Sequence, residues 1–364
     1  MKLRILFTGG GTGGHIFPLV ALAQELEARG LLAAAAWAGR PEGLERTIVA
    51  GYGWAYHAIP ASPFRRSEAF GLLRAGLRNA AGFMAARRLL GRESFDLIIG
   101  SGGYVSAPTY AAARLRGVPY VIIESNAVLG VANRWFANGA RLLCAAFPLK
   151  GKPPRTEVLV TGNPVRREFC TPGPAPIPDD WQGKPLLVLV GGSQGAGILN
   201  AFIAGHGARL AAAHPGLRIV HIAGRQGAEE LARQLAGVPA IKVMPFTTEL
   251  PALLRQATLV VARAGAMTLC ELAYCGVPAV LVPFPHAAEN HQYENAVAFA
   301  ADGRALVVRH DPQDEPATLA QLAAALDGAL TAGTLQAMHD AAQKNIQQNP
   351  ATVIVDQLER CTAR

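Results

Sequence analysis

Short apolar runs of strand length alternate with stretches of helical spacing over most of this chain. Leu3 to Phe7 reads as a first strand, and a helical pattern runs from about Pro18 through Leu22 and Leu26 to Arg29. Leu32 to Ala38 reads as a second strand, Glu42 to Ala50 as a helix, and Trp54 to Ile59 as a third strand. A long helical stretch comes next, followed by strands at Phe95 to Gly100, Tyr120 to Glu124 and Val158 to Gly162. This rhythm predicts a parallel sheet joined by right-handed crossovers, with ligands at the carboxyl ends of the strands. About twenty residues rich in proline (Pro172, Pro174, Pro176, Pro178) then lack periodicity and read as a linker.

The pattern restarts beyond the prolines. Leu186 to Val190 is all apolar and a helix begins near Leu199. Further strands read at Ile219–Ala223, Ile241–Phe246, Leu259–Ala262 and Ala279–Pro283. From about Leu319 to Arg364 the chain reads as helical, and Ala351 to Leu358 is expected to cross back onto the first domain. The fold class is therefore α/β, with two Rossmann-like doubly wound domains. The expected division is residues 1–163 plus a C-terminal helix of about 347–364, and residues 164–346.

Each half opens on a strand that runs into glycines. Gly9-Gly10-Gly11-Thr12-Gly13-Gly14-His15 follows the first strand, and Gly191-Gly192-Ser193-Gln194-Gly195-Ala196-Gly197 follows the strand that opens the second half. Strand, glycine loop and helix together turn backbone N–H groups and a helix N-terminus toward an anion. Five glycines in six positions exceed what a tight turn requires. His15 sits where the loop becomes the helix and points at whatever the loop holds. Ser101-Gly102-Gly103-Tyr104 is another glycine turn leading into a helix, and Glu124 and Asn126 fall at a strand's carboxyl end. Asn126 can both donate to and accept from sugar hydroxyls. In the second half, Arg263-Ala264-Gly265 is a strand end and turn, and Ala266 to Glu271 opens a helix. A carboxylate such as Glu271, one turn in, can accept two ribose hydroxyls. Pro283 to Gln292 is a polar cluster suited to sugar hydroxyls; a metal at His286, Glu289 and His291 fits no standard spacing.

Composition narrows the class. A length of 364 residues is usual for two domains, and 51% hydrophobic with 16% charged residues excludes a disordered chain. No run reaches the roughly 18 apolar residues of a membrane span. The chain enters its first strand directly, without a signal-peptide apolar region, so a cytoplasmic protein is expected. Cys144, Cys170, Cys270, Cys275 and Cys361 lie in apolar segments without a CxxC pair and read as reduced core thiols.

The net charge of +8 is concentrated. Residues 64–92 hold seven arginines (Arg65, Arg66, Arg74, Arg78, Arg87, Arg88, Arg92) and one acid, a net of +6. Phe70, Leu73, Leu77 and Met84 form one apolar stripe in this stretch, and Leu72, Phe83 and Leu90 a second. An ordinary amphipathic helix with a solvated arginine face is the plainer reading. The functional reading is a surface of Arg65, Arg66, Leu73, Arg74, Leu77, Arg78 and Phe83 that dips into an anionic membrane. A nucleic-acid binder would spread its basic residues along a groove with interleaved aromatics, so no nucleic-acid partner is expected.

Five motifs in order resemble the MurG family of bacterial glycosyltransferases. They are Gly10-Gly11-Thr12-Gly13-Gly14-His15, Gly102-Gly103-Tyr104-Val105-Ser106, Gly162-Asn163-Pro164-Val165-Arg166, Gly191-Gly192-Ser193-Gln194-Gly195 and His286-Ala287-Ala288-Glu289-Asn290-His291-Gln292. The resemblance implies the GT-B fold, with its site in an interdomain cleft. It implies transfer of N-acetylglucosamine from UDP-N-acetylglucosamine to the C4 hydroxyl of the muramyl sugar of lipid I, giving lipid II of peptidoglycan. It also implies a peripheral place on the cytoplasmic face of the bacterial inner membrane, and no cofactor. Carried onto this chain, Thr12, Gly13 and Gly14 lie near the donor sugar and the acceptor diphosphate. Asn126 would bond the donor sugar. Arg166, Ser193, the turn Ala266, Met267, Thr268, Leu269, Cys270 and Glu271, and Gln292 would hold UDP and the sugar. Within that set Glu271 takes the ribose and Gln292 sugar hydroxyls, while the backbone of Thr247 reads uracil. This chain departs from many relatives in having Ile123-Glu124-Ser125-Asn126 in place of His-Glu-Gln-Asn, and Gly197 in place of arginine.

The acceptor hydroxyl must lose a proton as it attacks, and a positioned base contributes about 10²–10⁴-fold. His15 is the first candidate and Glu124 the second. No Asp-x-Asp occurs, so a metal-bridged diphosphate is not expected. Direct displacement at an α-linked donor predicts inversion. Three alternatives remain open. A glycolipid synthase or UDP-sugar epimerase could use the same fold. A dehydrogenase would fit Gly9-x-Gly11-x-x-Gly14, but Ala38-Gly39-Arg40 stands where an acid should end the second strand, which leaves only an NADP form. A non-catalytic lipid-binding module would explain the basic stretch alone.

Overall fold

The computed structural model describes residues 2–63, 69–171, 173–192, 195–225, 227–287, 290–344, 346 and 348–362, with the side chains of residues 69–72, 359 and 362 outside that description. Arg65, Arg66 and Ser193 lie outside the described residues. The chain forms two compact units, Met1–Arg167 with Gln348–Arg364, and Glu168–Gln347.

The first unit runs β1 (Leu3–Gly9), α1 (Gly13–Ala28), β2 (Leu32–Gly39), α2 (Leu44–Ala50), β3 (Ala55–Ala58) and α3 (Ala69–Arg92). It continues with β4 (Leu97–Gly102), α4 (Ser106–Arg116), β5 (Tyr120–Glu124), α5 (Val131–Phe136), β6 (Leu142–Ala145) and β7 (Val158–Val160). Its seven strands lie in the order β3-β2-β1-β4-β5-β6-β7, with every pairing parallel. Side chains alternate between two cores, as the two-residue period of a strand requires. Ile5 and Phe7 of β1 and Leu97 and Ile99 of β4 pack with α1. Leu6 and Ile98 pack on the other face with α3 and α4. The chain order reverses between β1 and β4, which makes the carboxyl end of that pair a switch point where ligands bind.

The second unit runs β8 (Leu186–Val190), α6 (Gly197–Ala213), β9 (Arg218–Ile222), α7 (Ala228–Gln234), β10 (Ile241–Met244), α8 (Leu250–Gln256) and β11 (Leu259–Ala262). It ends with α9 (Ala266–Cys275), β12 (Ala279–Leu281), α10 (His291–Ala300), β13 (Ala305–Val307), α11 (Glu315–Ala329) and α12 (Ala332–Lys344). Its six parallel strands lie in the order β10-β9-β8-β11-β12-β13, with a switch point between β8 and β11. The last helix, α13 (Pro350–Thr362), belongs to the first unit. There Ala351, Ile354, Val355, Leu358 and Cys361 join the core that holds α1.

Four features differ from the sequence reading. First, α1 starts at Gly13, five residues before Pro18, because proline signals a first helical turn but here lies inside the helix. Second, β6 and β13 were not legible: Leu142–Ala145 holds leucine, cysteine and alanine, without the β-branched residues that mark strands. Third, the proline-rich segment packs on the second unit instead of linking freely. Phe169 and Trp181 are buried there, Arg255 Nη2 donates to the Phe169 carbonyl (2.7 Å), and Lys242 Nζ donates to the Pro176 carbonyl (2.7 Å). Fourth, Cys144, Cys270 and Cys361 are core thiols, whereas Cys275 is half-buried and Cys170 is exposed. Among the described residues no helix is long and apolar enough to cross a membrane.

The fully buried Ile354 ties α13 to the first core. Truncating it leaves a cavity, and Ile354→Ala should cost about 2–5 kcal/mol of stability. Urea unfolding followed by hydrogen exchange in β1 and β4 reads this directly; unchanged protection there would mean that α13 adds nothing to that core.

Candidate active site

At the first switch point two glycine turns touch. Gly11 (φ 92°), Gly102 (φ 87°) and Gly103 (φ 72°) all take left-handed backbone that favours glycine. A Cβ on Gly103 would stand 3.1 Å from the Gly10 carbonyl oxygen and 3.5 Å from the His15 ring, so no larger residue fits between the turns without displacement. Thr12 caps α1 in extended backbone, and its side chain makes no capping bond. The first-turn N–H groups of α1 therefore open at the carboxyl end of β1, beside Thr12, Gly13 and Gly14.

His15 is held by the end of β4. Its Nδ1 lies 2.9 Å from the Ser101 carbonyl oxygen, and Ser101 Oγ donates in return to the His15 carbonyl. A carbonyl can only accept, so Nδ1 carries a proton, and the tautomer with its lone pair at Nε2 is the one this contact selects. This is the tautomer a general base needs. Pro18, one turn further on, has no N–H for the Gly14 carbonyl. Ser125 Oγ lies 3.4 Å from that carbonyl and 3.2 Å from Asn163 Oδ1, and its single proton is shared between the two acceptors.

Glu124 has a different environment. It is buried, and its oxygens accept from the Asn126 N–H (3.0 Å), Asn126 Nδ2 (3.2 Å), the Gly130 N–H (2.9 Å) and Asn133 Nδ2 (2.8 Å). Four donors satisfy the carboxylate and fix the turn after β5 with Asn126 in it. Asn133, which the sequence reading left without a role, also fills the space over Gly102, where a Cβ would meet it at 2.7 Å. Arg166 falls in the first unit, and its guanidinium stacks on Phe17 of α1 at 4.9 Å. The backbone on either side is tied down too: Asn349 Nδ2 donates to the Val165 carbonyl (3.1 Å), and the Arg167 N–H donates to Gln24 Oε1 (3.4 Å).

On α3 the two apolar stripes separate. Leu73 and Leu77 are 63% and 67% exposed, and Met84 and the arginines Arg74 and Arg78 are exposed beside them. Phe83 and Leu90 instead pack inward against the sheet, so Phe83 does not belong to the outward face.

The second switch point repeats the backbone device with other side chains. Gly192 and Gly195 follow β8 with positive φ, and a Cβ on Gly195 would strike the Ala223 carbonyl oxygen at 2.2 Å. Beyond β11, Gly265 caps α9 in extended backbone and makes no side-chain bond to the first turn. Ala266, Met267 and Thr268 are half-buried in that turn. Leu269 and Cys270 point into the core, so only their backbone can meet a ligand, and Glu271 is buried. Thr247 lies beyond the end of β10, where its Oγ1 accepts the Glu249 N–H at 2.9 Å before α8. Gln292 Oε1 accepts the Phe284 N–H at 3.0 Å, which turns its amide donors away from that bond. Asn290 takes the left-handed φ of 55° that opens α10. Among the described residues no three His, Cys, Asp or Glu side chains gather as a metal site, and Glu289 lies outside them.

Arg263 is a site residue to which sequence reasoning gave no role. Its Nη1 donates to the carbonyls of Val282 (3.0 Å) and Pro283 (3.1 Å), joining the turn after β11 to the loop after β12. Burial lowers its pKa to about 10. An arginine ending an apolar strand was the available signal.

Two Rossmann-like domains, each opening on a glycine turn beside a helix N-terminus, make the architecture of the GT-B glycosyltransferases. Residues 5–142 match the glycosyltransferase family 28 N-terminal domain, and residues 186–358 match the C-terminal domain. The chain belongs to this family, and within it to the MurG family. It is 40% identical over 359 residues to the UDP-N-acetylglucosamine–N-acetylmuramyl-(pentapeptide) pyrophosphoryl-undecaprenol N-acetylglucosamine transferase of Pseudomonas paraeruginosa, covering 98% of each chain. The crystal structure of Acinetobacter baumannii MurG superposes with a TM-score of 0.79 at 30% identity, over 99% of this chain and 100% of that one. A putative UDP-N-acetylglucosamine 2-epimerase from Listeria monocytogenes, at 14% identity and a TM-score of 0.67, shares the fold over 99% of this chain and 96% of that one.

The glycine turn of the second unit leans on a buried histidine. His221 Nε2 lies 2.8 Å from Asn200 Oδ1 of α6, and Asn200 Nδ2 donates to the Ala223 carbonyl (3.2 Å) that Gly195 approaches. Burial lowers the His221 pKa from 6.5 to about 4. The unfolded chain therefore binds the proton first. Stability from this residue is complete above pH 6.5 and is lost as pH falls toward 4, by up to about 3 kcal/mol. Urea unfolding at pH 7 and pH 4.5 should show the loss in the native chain and a smaller one in His221→Gln.

Proposed function

We propose that this chain transfers N-acetylglucosamine from UDP-N-acetylglucosamine to the C4 hydroxyl of the muramyl sugar of lipid I, forming lipid II with inversion at the anomeric carbon. The name of its Pseudomonas paraeruginosa relative, an N-acetylglucosamine transferase acting on a pyrophosphoryl-undecaprenol acceptor, supports the substrates. The observation that carries the chemistry is the contact of His15 Nδ1 with the Ser101 carbonyl, which selects the tautomer with Nε2 as acceptor. His15 Nε2 takes the proton of the attacking hydroxyl, and the Ser101 carbonyl steadies the imidazolium that results. Glu124, saturated by four donors, acts as the positioning residue for Asn126, which bonds the donor sugar.

The acceptor diphosphate lies at Thr12, Gly13 and Gly14, against the N-terminus of α1. The leaving UDP is bound by the turn from Ala266 to Cys270, by Ser193 and by Arg166. Glu271 takes the ribose hydroxyls, the Thr247 backbone reads the base, and the Gln292 amide donates to sugar hydroxyls. Backbone donors fixed before the reaction stabilise the charge on UDP without reorganising as it leaves.

The acceptor's lipid implies a membrane surface, and α3, α4 and α5 supply one. These three helices carry Arg74, Arg78, Arg87, Arg88, Arg92, Arg114, Arg116 and Arg134 and no acid at all. Leu73 and Leu77 supply exposed apolar area among those charges. This combination suits peripheral binding to an anionic cytoplasmic leaflet.

UDP release from UDP-N-acetylglucosamine, with and without a lipid I analogue, tests the transfer. Release should require the acceptor, and His15→Ala should lower kcat by about 10²–10⁴-fold with donor binding intact. Acceptor-independent release would favour an epimerase or hydrolase, and a near-normal rate in the variant would remove His15 as the base. Vesicle co-sedimentation tests the surface. Leu73→Ser with Leu77→Ser should weaken binding to phosphatidylglycerol vesicles about tenfold or more, and equal binding to neutral vesicles would refute the electrostatic part.

A further inference from the structure

Beneath the first glycine turn lies a carboxylate that this reaction scheme does not use. Glu45, on the first turn of α2, is fully buried. Three glycines clear its space: a Cβ at Gly10, Gly39 or Gly43 would stand 2.5, 2.8 or 2.1 Å from its side chain. Its oxygens accept the Gly11 N–H (3.3 Å), the Arg40 N–H (3.0 Å) and Arg40 Nε (3.4 Å). One buried charge thus holds both the glycine turn and the arginine that follows β2.

Arg40 then reaches across the switch point. It follows β2, while Tyr104 follows β4, and β1 lies between those strands. Neighbouring strands are about 4.8 Å apart, so a side chain joining the outer two passes over the end of the middle one. The Arg40 guanidinium stands 5.8 Å from the centre of the Tyr104 ring. The two side chains together therefore span the carboxyl end of β1, where residues 10–14 turn. The side chain is 27% exposed, and its Nη1 and Nη2 have no partner among the described residues.

We propose that Arg40 binds the diphosphate of the acceptor, with Glu45 as the residue that aligns it. This rests on the reading of the first unit as the acceptor site. Glu45 neutralises the guanidinium on its Nε side and leaves two amino groups as a fork. Such a fork matches phosphate oxygens in a way a point charge does not. Tyr104 supports its flat face. The α1 N-terminus and the glycine N–H groups supply the other donors, so the diphosphate meets a cation on one side and backbone on the other.

Steady-state kinetics with a short-chain, water-soluble lipid I analogue test this without a membrane contribution. Arg40→Gln should raise the KM for the analogue about tenfold or more, as expected for a lost bond to a charged group, with the KM for UDP-N-acetylglucosamine within about twofold. Arg40→Lys, which keeps the charge and loses the fork, should fall between. Glu45→Gln should shift the same KM in the same direction. The donor also carries a diphosphate, so donor and acceptor KM rising together would overturn the assignment, as would an unchanged acceptor KM. Calorimetric binding of a short prenyl diphosphate to the full chain is independent of turnover. Arg40→Gln should weaken it about tenfold. A native chain that binds the prenyl diphosphate but transfers no sugar would refute the proposed reaction and leave Arg40 supported. Undiminished binding in Arg40→Gln, or no binding by the native chain, would overturn the inference.

Discussion

The contact on which the first site depends is the reciprocal pair between His15 and Ser101. One residue begins a helix and the other ends a strand, 86 positions apart, and each carbonyl accepts from the other's side chain. This clamp lays the loop after β1 on the loop after β4, and Gly9 leaves it room: a Cβ there would stand 2.2 Å from Ser101 Oγ and 2.7 Å from the His15 carbonyl oxygen. The histidine gains a single tautomer from the same contact. Packing and chemistry thus arise from one piece of geometry, since the fixed ring is also the spacer between the turns.

Two buried carboxylates extend the clamp, and the physics of burying them explains their partners. A desolvated carboxylate is costly unless each oxygen is bonded, and removing one partner of a buried charge costs about 3–5 kcal/mol. Glu124 meets this requirement with two asparagines and two backbone N–H groups. Glu45 meets it with backbone N–H groups on both sides and one guanidinium. In both cases backbone N–H groups of a turn at a strand end are among the donors, so satisfying the charge fixes the turn.

Much of this was legible in the chain itself. Strand, glycine loop and helix at the start of each half located both switch points, because glycine content at a strand end reports a backbone conformation that other residues avoid. His15 could be placed at the loop from its position alone. Its tautomer could not, because Ser101 is distant in sequence and its carbonyl carries no side-chain signature. Glu45 was hidden for a related reason. An acid on the first turn of a short helix reads as an ordinary dipole partner, and the glycines that shelter it lie on three different segments. Phe83 misled because helical spacing alone does not say which of two stripes faces the sheet. The proline-rich segment misled because it is held by Arg255 and Lys242, which lie 86 and 66 residues from their partners Phe169 and Pro176.

The two switch points share a backbone and differ in charge, and this difference argues for different ligands. The first places an imidazole and a carboxylate-paired guanidinium beside the glycine turn, an arrangement suited to an anion next to a hydroxyl that loses a proton. The second places Arg263 behind the turn, with Nη1 on two main-chain carbonyls and its pKa lowered by burial. A cation so used is a structural tie, and its charge is directed at carbonyls. The N–H groups open to an anion there are those of the N-terminus of α9 and the glycines after β8, while Glu271 and Gln292 add polar groups suited to hydroxyls. A site that reads a nucleotide sugar needs many weak directional contacts, and a site that activates a hydroxyl beside a diphosphate needs one base and one cation. The same strand, glycine turn and helix recurs in both units, and the side chains beside it differ: His15 and Arg40 in the first, Arg263 and Gln292 in the second.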